Sequence, residues 1–189
     1  MKTRTFIAIE ASHEIRSGAQ TLADQLSPHT KNIRWVVEGA LHYTLEFLGD
    51  ITDQEIVDVC TRVGRVASST PPFALQALGA YAFPSIDRPR TLWIGAGRGQ
   101  EDLIALQSEV EESLSDLGFR GENRRYVPHL TIGKTARAGG AAAELTPLLA
   151  ELAQFDAGEM AVTEVTVFAS KLLREGPEYH VLARCPLEG

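Results

Sequence analysis

The chain has 189 residues, a formal charge of −7 at pH 7, 44% hydrophobic residues and 23% charged residues. That balance suits a soluble globular protein able to bury a core without disulfide staples, and its acidity argues against a protein that coats long nucleic acid, whose affinity comes from neutralising many phosphates. Cys60 and Cys185 stand far apart in no redox or metal motif, and the apolar run in MKTRTFIAIEASHEIR is too short for a signal peptide or membrane span, so the expectation is a cytoplasmic chain in a reducing compartment.

In chain order, Thr5 to Ile9 reads as a first strand. Ser12 to Leu26 reads as a helix capped by Ser12, with Ile15, Ala19, Leu22 and Leu26 at helical spacing. Ile33 to Val37 and Leu41 to Leu48 read as extended, closed by Gly49-Asp50. Asp53 to Val66 reads as a helix capped by Asp53 and ended by Pro71-Pro72. Phe73 to Phe83 and Arg90 to Ile94 follow as strands. The helix Glu101 to Leu117 carries a Leu103, Leu106, Val110, Leu114 stripe and stops at Gly118. Val127 to Gly133 reads as a strand, Ala141 to Leu152 as a helix entered from Gly139-Gly140, and Glu164 to Ser170 and Tyr179 to Ala183 as closing strands. Mixed strands and helices in this order predict an α+β fold with largely antiparallel sheets.

Two of the strand segments share one pattern, His42-Tyr43-Thr44-Leu45 and His129-Leu130-Thr131-Ile132. On a strand, alternate residues share a face, so each histidine points the same way as its threonine while the apolar pair points to a core. The spacing of the motifs, close to half the chain, predicts two pseudo-symmetric lobes. Each is a mostly antiparallel sheet with helices packed outside, and the two enclose a central cleft within a single domain, 1–189. Neither histidine has Cys, Asp or Glu at ligand spacing, and no HExxH element or nucleophile elbow is present, so neither a metal nor a cofactor is expected. His13, His29 and His180 read as incidental. Arg124, five residues before His129, is the candidate phosphate clamp, with Lys134 and Arg34 as lesser ones. Tyr126 and Trp35 are candidates for stacking on a base or ribose.

The whole chain resembles the two-histidine (2H) phosphoesterase superfamily, with its paired HxTx motifs, and within it the RNA 2′,3′-cyclic phosphodiesterases, or 2′-5′ RNA ligase-like proteins. The resemblance rests on Arg4 to Ile9, Ile33 to Val36 with Leu41 to Asp50, Phe83-Pro84 with Pro89 to Trp93, Glu122, Arg124, Tyr126 and Pro128 before His129, and Ser170 to Leu173 with Gly176, Pro177 and Tyr179. Lys134 stands where members often have arginine, and Thr135 to Thr146 matches nothing in particular. The resemblance implies a hydrolase of RNA processing that opens 2′,3′-cyclic phosphate ends of RNA or nucleotides to a 2′-phosphate, without metal, with no protein partner and as a monomer. It implies His42 as proton donor and His129 as proton acceptor, a choice the residues themselves leave open. Thr44, Thr131, Arg124, Tyr126 and Lys134 would bind substrate. Two other readings stay open: action on another small cyclic phosphate, and an RNA-end binding or 2′-5′ joining protein in which hydrolysis is incidental.

Overall fold

The computed structural model describes residues 2–119, 121, 125–136, 140–173 and 176–189. Strand β1 (Lys2–Glu10) leads into helix α1 (His13–Leu26), then β2 (Ile33–Trp35), β3 (His42–Thr52), α2 (Asp53–Ser69), β4 (Phe73–Phe83), β5 (Thr91–Ala96), α3 (Gln100–Leu114), β6 (Leu130–Thr135), α4 (Thr146–Glu151), β7 (Asp156–Val162), β8 (Glu164–Leu173) and β9 (Gly176–Pro186). Among the described residues nine strands pair antiparallel in one sheet, in the order β7-β4-β5-β6-β3-β1-β8-β9, with β2 alongside β6. The predicted α+β architecture with two similar halves is therefore present, as the two ends of this sheet. The halves are not successive stretches of chain. One is built from both ends of the sequence (β1, β3, β8, β9) and the other from its middle (β4 to β7).

The helices share one face of the sheet. Ile15, Ala19, Leu22 and Leu26 of α1, Val59 and Val63 of α2, and Leu103, Leu106, Val110 and Leu114 of α3 all join the main buried core with Ile7, Leu75, Ile94 and Val167 of the strands. Each of the valine, leucine and isoleucine side chains among them contributes about 1.5–3 kcal/mol when fully buried. Helix α1 follows β1 in sequence yet packs on β7 of the other half. Gly18 permits that approach: a Cβ there would lie 2.1 Å from the Ala157 carbonyl oxygen. The opposite face of the sheet carries a second, smaller apolar cluster of Phe6, Ala8 and Phe168 with Tyr179 packed against it.

Several predicted boundaries shift for identifiable reasons. Ser12 caps α1 as expected, accepting from the Ile15 amide at 3.3 Å. The cap of α2 is Thr52 rather than Asp53, because Thr52 and Glu55 form a reciprocal capping box. The helix predicted over Ala141 to Leu152 is only α4, since Pro147 fits a first turn and the residues before it form a single 3₁₀ turn. Strand β7 has no counterpart among the predicted elements. Its Asp156-Ala157-Gly158 start lacks β-branched residues, and Gly158 holds φ 103°. Gly139 lies outside the described residues. Among the described residues no helix is long and apolar enough to cross a membrane.

Candidate active site

The two motifs meet at the seam of the sheet. Strands β3 and β6 pair at Tyr43 and Leu130. Continuing that register one residue either way sets His42 across from Thr131 and Thr44 across from His129, so each histidine faces the threonine of the other motif. Tyr43 and Leu130 are fully buried toward the helices. His42, Thr44, His129 and Thr131 are half-buried on the other side, as period-2 alternation requires.

Each imidazole is held by the same local device. The chain leaves strand geometry before each motif, in a 3₁₀ turn at Glu38–Ala40 and in an irregular segment over 125–129. The carbonyl of Ala40 lies 2.7 Å from His42 Nδ1, and that of Val127 lies 2.7 Å from His129 Nδ1. A carbonyl can only accept, so both Nδ1 atoms carry hydrogen and both Nε2 atoms are the nitrogens that can exchange protons.

Aromatic rings wall both histidines. Phe6 and Tyr179 lie 5.0 and 5.4 Å from His42 between ring centroids, with Phe168 at 6.4 Å. Phe83 and Trp93 lie 5.2 and 5.9 Å from His129, both edge-on. Burial is the main influence on His42 and holds its pKa below the usual imidazole value. The hydrogen bond to Ala40 and the Glu10 carboxylate act upward, and the neighbouring His129 and Lys134 act downward.

Other predicted residues divide. Lys134 is exposed and pairs across strands with Thr91 and Arg34. A bulge at Ile132 between the Trp93–Thr131 and Leu92–Gly133 pairs turns Lys134 to the histidine side, where its charge reaches His42. Tyr126 packs against the main core, and its hydroxyl donates to the Thr44 carbonyl at 2.9 Å. That engagement makes it a support under the first motif. Trp35 also packs on the main core, over Gly133, where a Cβ would meet its ring at 3.1 Å. Arg124 and Glu122 lie outside the described residues.

Two further residues of the site region are set by a feature that the sequence does not display. A bulge at Leu45 shifts β3 against β1, so that Thr44 pairs with Ala8 but Glu46 pairs with Ile7. Glu46 thereby turns to the helix side, away from His42, and is only 6% exposed. Burial first and the Glu111 carboxylate second push its pKa up to about 7, and its Oε2 finds no hydrogen-bond partner among the described residues. The same bulge returns Phe47 to the histidine side. There it stands 66% exposed, 5.9 Å from Phe6 between ring centroids, an open surface for a flat ring. No spacing rule reveals a bulge in advance, so neither position is legible from the sequence.

Known proteins resemble this chain in sequence and in fold. The family model of the 2′-5′ RNA ligase superfamily matches residues 14–171. A Thermotoga maritima protein named RNA 2′,3′-cyclic phosphodiesterase is 32% identical over 98% of this chain and 96% of its own length. A protein of the same name from Methanothermobacter thermautotrophicus is 31% identical over 95% of this chain and 96% of its own length. Among solved structures, a Thermus thermophilus protein superposes with TM-score 0.83 at 24% identity, covering 98% of each chain, a likeness of fold. E. coli LigT complexed with 3′-AMP superposes with TM-score 0.76 at 26% identity, covering all of both chains.

Proposed function

This chain belongs to the 2′-5′ RNA ligase superfamily, and from that membership we propose that it is a phosphodiester hydrolase opening 2′,3′-cyclic phosphate ends of RNA or nucleotides by acid–base catalysis between two histidines, without metal. The observation that carries the reading is the duplicated histidine clamp: two imidazoles, each pinned through Nδ1 to the backbone two residues earlier, one at the start of β3 and the other immediately before its partner strand β6. The relatives named as RNA 2′,3′-cyclic phosphodiesterases supply the substrate class, and the LigT complex with 3′-AMP supports a nucleotide-sized ligand in this fold.

In this mechanism His129 Nε2 takes a proton from water as the water oxygen bonds to phosphorus. The bond from phosphorus to the ribose 3′ oxygen breaks, and His42 Nε2 gives that oxygen its proton. The products are a 3′-hydroxyl and a 2′-phosphomonoester, with the two histidines left in exchanged protonation states that solvent resets. The hydroxyls of Thr44 and Thr131 donate to the non-bridging phosphate oxygens, Lys134 adds positive charge, and Phe47 offers a face on which a base can stack. The low pKa of His42 makes it a strong acid once protonated, and the phosphate anion raises its proton affinity on binding. The alkaline limb of kcat should therefore lie at higher pH than that of kcat/KM.

The test is hydrolysis of a 2′,3′-cyclic nucleotide in EDTA by wild type, His42→Ala and His129→Ala. Each replacement should cost about 10²- to 10⁴-fold. Full activity in either variant, or activity lost to EDTA and restored by a divalent ion, would end the reading.

A further inference from the structure

Beside His42 lies a charged cluster that the mechanism above does not use. Glu10 is the cross-strand partner of His42 on β1. Arg184 on β9 is its counter-ion, with Nη1 2.5 Å from Glu10 Oε2, and the same nitrogen also bonds Glu164 at the start of β8. Arg184 is placed by the ladder: Thr44 pairs with Ala8, Ala8 with Thr166, and Thr166 with Arg184, a row running across four strands on the histidine side. A single guanidinium shared by two carboxylates leaves a net negative charge in the cluster.

We propose that Glu10, restrained and partly neutralised by an Arg184 that it shares with Glu164, is a positioning residue that sets the proton affinity of His42 and thereby marks His42 as the proton donor. The inference rests on the acid–base reading above and adds a residue to it. Direct cross-strand neighbours have Cβ atoms about 4.5–5.5 Å apart, within the range where one charge acts strongly on another. The other groups beside His42 are His129, immediately before β6, and Lys134 of β6, which oppose protonation, and Tyr179 of β9, whose ring packs edge-on against the imidazole; Glu164 and Arg184 face Glu10. Glu10 thus offsets the burial and the neighbouring basic groups that disfavour the imidazolium form.

The other half of the sheet carries the complementary observation. Leu130 pairs with Ile94 as Tyr43 pairs with Ile9, so one residue further the counterpart of Glu10 beside His129 is Gly95. A Cβ on Gly95 would meet the Leu78 carbonyl oxygen at 2.8 Å and the Tyr81 ring at 3.0 Å. No carboxylate can occupy that position, and the two halves are electrostatically unlike at this one place.

The experiment is a titration of ring-labelled histidine followed by NMR, with the His42 signal assigned by its loss in His42→Ala, in wild type, Glu10→Gln and Arg184→Gln. Glu10→Gln should lower the His42 midpoint by about half a pH unit. Arg184→Gln, which unmasks the Glu10 charge, should raise it by about as much, both changes being moderated by solvent. Midpoints unmoved in both variants, or moved in the same direction, would overturn the proposal. The pH profile of kcat on a 2′,3′-cyclic nucleotide separates this from the reading beneath it. The alkaline limb should follow the NMR midpoint, and a limb that stays fixed while the midpoint moves would count against His42 as the acid rather than against its coupling to Glu10.

Discussion

The two halves of the sheet use one backbone device and surround it with different side chains. Beside Thr44 the neighbouring strand places Ala8, and beside His42 it places Glu10. Beside Thr131 it places Trp93, and next to His129 the register brings Gly95, roofed by Tyr81. The Nδ1 hydrogen bonds to Ala40 and Val127 are equal in length. Duplicating the motif yields two imidazoles of the same tautomer and sets them in unlike surroundings. A reaction that needs one acid and one base requires both features.

The largest effect that could break this comparison comes from changing the leaving group. If His42 is the acid, a nitrophenyl phosphodiester, whose phenolate departs without a proton, should be hydrolysed by His42→Ala nearly as fast as by wild type. His129→Ala should remain down by about 10²-fold or more. Equal losses in both variants on the aryl substrate would mean that the halves do not divide the work in this way.

A second effect lies under the His42 half. Glu46 has its pKa raised to about 7, well above an ordinary carboxylate, so folding favours its protonated form. Its contribution to stability is present below the unfolded value, near pH 4, and is lost as pH rises through about 7. Glu46→Gln should therefore flatten the decline of stability between pH 5 and 8. At pH 8 the variant should be the more stable protein by about 2–3 kcal/mol, since a tenfold change in proton affinity between the folded and unfolded chain is worth ~1.4 kcal/mol. Urea denaturation at several pH values measures this, and parallel curves for the two proteins would refute it.

These two effects differ in how far the sequence announced them. The histidine and threonine positions follow from strand periodicity alone, because alternation needs no knowledge of the partner strand. The environment of Glu46 depends on the bulge at Leu45, which exists only in the register between β3 and β1. Read by simple alternation, Glu46 would share the face of His42, and Phe47 would lie buried. The carbonyls of Ala40 and Val127 are equally hidden, since backbone groups carry no residue signature. Tyr126 shows its aromatic ring in the sequence but not the direction of its hydroxyl, which the packing on the main core decides. Strand β7 is illegible because Ala157 and Gly158 are there for close contact with α1 rather than for strand propensity.

That contact ties one half to the other. Helix α1 belongs by sequence to the His42 half and packs on the outermost strand of the other. Gly18→Ala would set a methyl group against the Ala157 carbonyl and should cost about 1–3 kcal/mol through overpacking, despite the better helix propensity of alanine. An unchanged or raised melting temperature would show that the helix can shift at no cost.

The smallest effect concerns the seam itself. Strands β3 and β6 share one register pair, so side chains must carry part of the join. Two tyrosine hydroxyls do so. Tyr43 reaches across from β3 to the Gly95 carbonyl of β5 at 3.1 Å, and Tyr126, from the segment before β6, reaches back to the Thr44 carbonyl at 2.9 Å. Both are neutral hydrogen bonds, so Tyr43→Phe and Tyr126→Phe should each cost about 1 kcal/mol. The sum is less informative than the coupling. If the hydroxyls brace a single hinge line, losing the first lets the halves separate slightly and weakens the second, and the double variant should lose less than the sum of the singles. Strict additivity would mean that the main-chain pair and the buried apolar contacts already fix the spacing between the halves. The separation of the two imidazoles would then be set by the sheet alone.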